Sequence, residues 1–258
     1  MSETIEIYLN SKFSNKYVDN LTSNCVFYLP NIELNKNEKA YINVKSCVIP
    51  FSWYNINKTN NILDIRIANL RPYTIEIPFG NYNINQLIAY LQLQFLLFVG
   101  NDKYLTIMYS SQTNKLTFTH TYHTFKLEYS STCFELLGFV FDNNTDYTAT
   151  NISGTKHELI SICSINLFVI RTIYLASDNF ILNNINANNP NSSNILCSIS
   201  VTGNPNSIIH YNNDSKHLIH HLNNINQLQI KLLDQDGDAI ELNGCHFDVT
   251  LELIIQSL

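Results

Sequence analysis

The residues best suited to chemistry gather near the C-terminus. Asp234, Asp236 and Asp238, with Gly237 and then Glu241, place several carboxylates close together, as a hard cation such as calcium requires. The EF-hand spacing is not met, because the glycine follows the second acid directly and no helix pair flanks it. A tight hairpin turn at Asp236-Gly237 accounts for the same residues, since glycine tolerates positive φ, and is the preferred reading. His217, His220 and His221, with His210 nearby, form a second cluster. Imidazoles three and four residues apart can share a metal on a helix, but no carboxylate or thiol completes a shell locally, so a surface or interface role is expected. There is no G-x-S-x-G elbow, no Walker A loop and no H-E-x-x-H motif. The sequence therefore assigns no catalytic, cofactor-binding or metal-binding residue, and the expectation is a protein that is not an enzyme and uses no cofactor. The enzymatic alternative is a metal-dependent hydrolase built on His217, His220 and the Asp234–Asp238 acids.

Bulk composition narrows the partners. The formal net charge is -6 and only 14% of residues are charged. The arginines are Arg66, Arg71 and Arg171, and no basic run exists, so direct nucleic-acid binding is not expected. Of the six cysteines, none forms a C-x-x-C pair. Cys47, Cys163, Cys197 and Cys245 lie in apolar, strand-like runs and read as small buried thiols. The start, MSETIEIYLN, lacks the basic and apolar regions of a secretion signal, and no run of about eighteen apolar residues suggests a membrane span. A reducing compartment is expected. The aromatics Phe51, Trp53 and Tyr54 suit core packing, with an exposed protein-binding set as the alternative.

The elements that must position these residues are mostly strands. One helix stands out in IPFGNYNINQLIAYLQLQFLLFVG. There Ile84, Leu87, Ile88, Leu91, Phe95 and Phe98 recur at helical spacing, Asn83 and Gln86 make a capping pair, and Gly100 can stop the helix. Upstream, Thr4–Leu9, Cys25–Leu29 and Ala40–Ile49 read as strands. The last alternates Ile42, Val44, Ser46 and Val48 against Tyr41, Asn43, Lys45 and Cys47. Around the helix, Leu63–Ile67 and Thr74–Ile77 are strands, followed by a hairpin over Tyr104–Thr119. Phe125, Leu127 and Tyr129 continue its sheet, and a helical turn ends at Gly138. Beyond His157 the β texture returns, with Leu159–Ile173 as one bent strand or two. Further strands follow at Ile195–Val201, Ile208–Tyr211, Leu228–Leu232, Ile240–Leu242 and Phe247–Leu253.

The flanking segments offer roughly eight strands, the number a jelly roll needs, and the N-terminal ones must pair with strands beyond the middle. The fold class expected is mainly β: a single jelly-roll β-sandwich with an inserted small α+β domain containing one main helix. The domains run 1–55, 56–152 and 153–258, the middle one being the insertion.

One ordered series of motifs carries a family resemblance. It comprises Val48-Ile49-Pro50, Trp53-Tyr54-Asn55-Ile56, Ile77-Pro78-Phe79-Gly80-Asn81-Tyr82 leading into the helix, Asn114-Lys115-Leu116, Leu136-Leu137-Gly138-Phe139, Leu232–Asp234, Gly237, Leu242-Asn243-Gly244 and Phe247. This series resembles the minor capsid (penton) proteins of virophages and Polinton-like viruses, of the mavirus type, over nearly the whole chain. The resemblance implies a viral structural protein forming a homopentamer at the vertex of an icosahedral capsid, among double jelly-roll major capsid proteins. It also implies localisation in the virion, synthesis in the host cytoplasm, and an inserted domain available to a host surface receptor. It brings no catalytic residue. The alternative is a glycan- or receptor-binding jelly-roll module of a viral spike or fibre.

Overall fold

The computed structural model describes residues 2–33, 38–98, 104–140, 142, 144–180, 182, 194–212, 216–218 and 224–257. Its strands, in chain order, are β1 Ser2–Asn10, β2 Lys16–Val18, β3 Leu21–Glu33, β4 Glu38–Pro50, β5 Ile62–Ile67, β6 Tyr73–Glu76, β7 Leu105–Ser110, β8 Lys115–His120, β9 Phe125–Leu127, β10 Tyr147–Thr148, β11 Thr150–Ser153, β12 Lys156–Ile160, β13 Thr172–Ala176, β14 Ile195–Ser200, β15 Ile208–Asn212, β16 Lys216–Leu218, β17 Asn224–Leu233 and β18 Asp248–Ser257. Two α-helices, α1 Ile84–Phe98 and α2 Phe134–Leu137, lie between β6 and β10. Two compact units result: Met1–Trp53 with Ile170–Leu258, and Tyr54–Val169.

The first unit is a sandwich wound from its ends inward. One sheet has the order β1-β18-β4-β15, with β16 also on β4; the other has β14-β13-β17-β3-β2. Every pairing is antiparallel, and the pairs nest: β1 with β18, β3 with β17, β4 with β15 and β16, β13 with β14. That nesting, plus the β4–β18 and β13–β17 pairs that join neighbouring hairpins, is the jelly-roll winding. The N-terminal strands do pair with strands that follow the insertion. Ile7, Leu9, Ile42, Leu175, Leu228, Leu251 and their neighbours fill the space between the sheets.

β4 departs from its expected alternation. Opposite β18 the register steps from Val44 to Ser46, leaving Lys45 as an extra residue. Such a bulge flips the faces beyond it. Ile42 and Val44 point inward as expected, but after the bulge the buried residues are Cys47 and Ile49, not Ser46 and Val48. Ile240–Leu242 also differs from expectation. It forms no strand, although Ile240 and Leu242 are buried.

The second unit has its own core, centred on Leu63, Ile65, Leu87, Leu91, Phe95, Phe118, Phe125 and Phe134. Its helix begins as the sequence indicates. Asn83 N–H donates to Gln86 Oε1 at 3.0 Å, and Gln86 N–H donates to Asn83 Oδ1 at 2.9 Å. Leu87, Leu91 and Phe95 are fully buried, each worth about 1.5–3 kcal/mol of apolar transfer. Ile84 and Ile88 are partly buried against the same core. Leu93 and Leu97 lie exposed on the other side. Gly100 and the Phe98 side chain lie outside the described residues.

Two sheets share this core, β10-β9-β5-β6 and β11-β12-β8-β7. The β7–β8 hairpin lies in the second, whereas Phe125–Leu127 pairs with β5 in the first and does not continue the hairpin's sheet. The unit also ends later than residue 152. Leu159 and Ile160 pair with Phe118 and Thr117 of β8. The chain then runs on as an irregular strap: Cys163 N–H donates to Gly138 O at 2.8 Å, Ile165 N–H to Asn114 O at 2.8 Å, and Asn166 N–H to Leu136 O at 3.0 Å. Leu159–Ile173 is therefore neither one bent strand nor two. Its first part belongs to the inserted unit, and regular β structure resumes only at Thr172. Cys163, in the strap, is exposed, as is Cys245 next to Gly244, contrary to the expectation of burial.

Candidate assembly surfaces

The carboxylate cluster folds as a turn. Asp234 Oδ1 accepts the N–H groups of Asp236 and Asp238, each at 2.9 Å, and Asp234 N–H donates to Asp238 O at 2.9 Å. Gly237 sits at φ 92°, the conformation for which glycine is needed. Burial raises the Asp234 carboxyl above its ordinary value, and the backbone donors only partly offset this. Glu241 turns away to accept Asn243 N–H at 2.9 Å. The acids are thus occupied in holding a hairpin corner.

The histidines are less fully described. His210 is exposed on β15, and His217 lies in β16, whose partner is β4. His220 and His221 lie outside the described residues. Among the described residues no group of three or more His, Cys, Asp or Glu is placed to hold a metal ion, and no helix is long and apolar enough to cross a membrane.

Phe51 and Trp53 take the core role. Their rings stack with centroids 4.2 Å apart, and both are buried in the jelly roll. Tyr54 is exposed at the start of the second unit. Burial pushes the Cys25 thiol up to about 11 and Cys197 to about 12, and it raises Cys47 and Cys133 as well. Thiols held protonated in this way are packing groups, not nucleophiles.

A different set of aromatics lies outside. Tyr8 on β1 (73% exposed), Phe13 in the short 3-10 turn Ser11–Phe13 (75%) and Tyr28 on β3 (64%) are each exposed. Tyr28 N–H is tied to Asn15 Oδ1 at 2.8 Å, and Tyr17 OH donates to Ser11 O at 2.9 Å. Lys12 Nζ lies 5.9 Å from the Phe13 ring centroid. The Tyr8 hydroxyl donates to Glu6, whose carboxylate holds the phenol above its ordinary value. The β15–β14 side of the sandwich, at the far end of both sheet orders, exposes Ile208. The jelly roll therefore exposes aromatics on both of its sheets as well as Ile208 on β15. The sequence held a signal for Tyr8: Ile5, Ile7 and Leu9 alternate inward, so Tyr8 must face out.

Against solved structures the match spans the whole molecule. The mavirus penton protein superposes with a TM-score of 0.52 over 100% of both chains, at 11% sequence identity. The mavirus penton shares this fold. The jelly roll and its inserted unit are thus matched together. A chain of the Sputnik virophage particle, seen by cryo-EM, covers 98% of both chains at 12% identity with a TM-score of 0.41, too low to establish a shared fold. Among curated proteins, an uncharacterized protein of Acanthamoeba polyphaga mimivirus is 31% identical over 160 residues. That region is 58% of this chain but 24% of the mimivirus protein, so the chain spans about a quarter of that relative's length. No protein-family model matches the chain.

Proposed function

We propose that the chain is a penton, a minor capsid protein that forms a homopentamer at the vertices of an icosahedral viral particle among double jelly-roll major capsid proteins. The observation that carries this reading is the end-to-end correspondence with the mavirus penton, insertion included. The mimivirus relative supports a viral setting. A ring needs a head-to-tail interface made of two different patches, and the exposed aromatics Tyr8, Phe13 and Tyr28 and the exposed Ile208 on β15 supply candidates for them. Exposed Tyr and Phe are what such interfaces favour. An obligate ring of this kind buries on the order of 2,000 Å² or more per contact. In this reading the inserted unit is the part available to a host surface, and the chain acts without catalysis.

Light scattering with negative-stain imaging, with and without the major capsid protein, tests this. Five-fold rings are the expected result, and replacing Tyr8, Phe13 and Tyr28 together by Ser should abolish them while leaving the monomer folded. A stable trimer would sink the penton reading and favour a spike module.

A further inference from the structure

The inserted unit has two sheet edges that α1 packs against, and they are protected differently. Among the described residues, β6 ends one sheet and β7 ends the other. An edge strand presents unpaired N–H and C=O groups, a template for a strand of another chain. β6 protects itself: it is four residues long, it ends in Glu76, and Pro78 follows. The helix adds one bond there, from Tyr90 OH to Glu76 O at 2.8 Å.

β7, Leu-Thr-Ile-Met-Tyr-Ser, has none of these devices. It contains no charge, proline or glycine, and its register with β8 runs without a shift from Leu105 to Ser110. Met108, 66% exposed, adds an apolar side chain beside the edge. Gln92 of α1 supplies what the sequence of β7 lacks. Its Nε2 donates to Leu105 O at 2.9 Å, and its Oε1 accepts Ile107 N–H at 3.1 Å. Only this orientation of the amide satisfies both groups. The amide therefore holds one acceptor and one donor on the side of β7 away from β8, as the peptide groups of an added strand would.

We propose that Gln92 is an edge guard, occupying the backbone groups through which β7 would otherwise pair with β7 of a second copy. A second copy is the partner that fits. Two β7 edges brought together antiparallel about a two-fold axis offer each other the same groups, and neither strand brings a charge to repel the other. With the amide in place, an incoming strand gains no bond at Leu105 O or Ile107 N–H and must lift this turn of α1 to reach them. The guard's purpose, though not its chemistry, rests on the penton reading: copies joined in pairs at β7 would be diverted from a five-fold ring.

The test is sedimentation velocity on the full chain over a range of concentrations, with amide exchange at Ile107 in the same samples. Gln92→Leu keeps much of the side chain's volume and removes both hydrogen bonds. We expect it to speed exchange at Ile107 in dilute solution. We also expect it to tighten association in pairs, of chains or of rings, about tenfold or more over the wild type. Adding Met108→Lys, which brings two like charges to the joined edge, should return the double variant to the wild-type state. A Gln92→Leu chain that keeps the wild-type state at every concentration would overturn the guard. So would association that Met108→Lys does not reverse, the result that partial unfolding would give. The ring or trimer formed by the wild-type chain bears on the penton reading alone, so the two ideas fail separately.

Discussion

The jelly roll and the inserted unit use the same material in opposite ways. The jelly roll closes by pairing the ends of the chain, Ser2 with Gln256, and β3 with β17 across the whole insertion. The inserted unit leans more on neighbours, β5 with β6, β7 with β8 and a helix that caps itself, beside the longer pairings of β5 with β9 and β8 with β12. Loop-closure entropy grows only slowly with length, about 0.6 kcal/mol per doubling, so stability tolerates the long-range design. Folding rate does not, because distant pairs must be found before they are rewarded. The inserted unit should therefore fold first, and the jelly roll after it. The separate cores make this testable one unit at a time.

The largest effects should come from emptying one core. Phe118→Ala removes a fully buried ring from the inserted unit and should cost about 3–5 kcal/mol there. Leu228→Ala should cost the jelly roll about 2–5 kcal/mol. Calorimetry should show two transitions, with each variant lowering only its own. A single transition that moves with both variants would show one cooperative body and break the comparison.

Gly138→Ala asks what closes the inserted unit. This glycine ends α2 at φ 83°, and a Cβ placed on it would lie 2.4 Å from the carbonyl oxygen of Cys163 in the strap. Left-handed backbone alone costs an alanine about 1–2 kcal/mol, and the clash with a backbone atom adds to it. The variant should lower the inserted unit's transition and raise exchange at Cys163, whose N–H donates to Gly138 O. A smaller loss, about 1 kcal/mol and again confined to this unit, is expected for Asn83→Ala, which removes one half of the reciprocal cap.

The same contrast explains what could be read from the sequence. Local devices were plain in it: the capping pair Asn83–Gln86, the Leu87–Leu91–Phe95 stripe, the turn at Gly237 and the stop at Gly138 all act within a few residues. Which strands pair is not a local property. The apolar run after His157 reads the same whether it lies on β8 or returns to the jelly roll, and only pairing to Phe118 decides the matter. The bulge at Lys45 is equally silent, since nothing in β4 marks the residue that β18 will skip. Of the candidate surfaces, Tyr8 was implied by the alternation of β1.

The smallest effect concerns charge on the inserted unit. Arg66 and Lys126 stand directly opposite each other on β5 and β9, a pairing that repels. Glu128 lies between them, accepting from Arg66 Nε at 2.5 Å and lying 3.4 Å from Lys126 Nζ, while Asp146 pairs with Lys126 from the other side. The hydrogen bond from Lys126 holds the Asp146 carboxyl below its ordinary value, helped by Tyr129 N–H. A carboxyl lowered by folding stabilises above its unfolded value, near pH 3.9, and that contribution is lost as pH falls through the lower folded value. Asp146→Asn should thus lower the inserted unit's transition at pH 7 by about 1 kcal/mol or less, and less still in high salt. At a pH where Asp146 is protonated in both states, the variant and the wild type should coincide. The jelly roll's transition should not move at either pH, and a shift there would mean that the two units share their electrostatics after all.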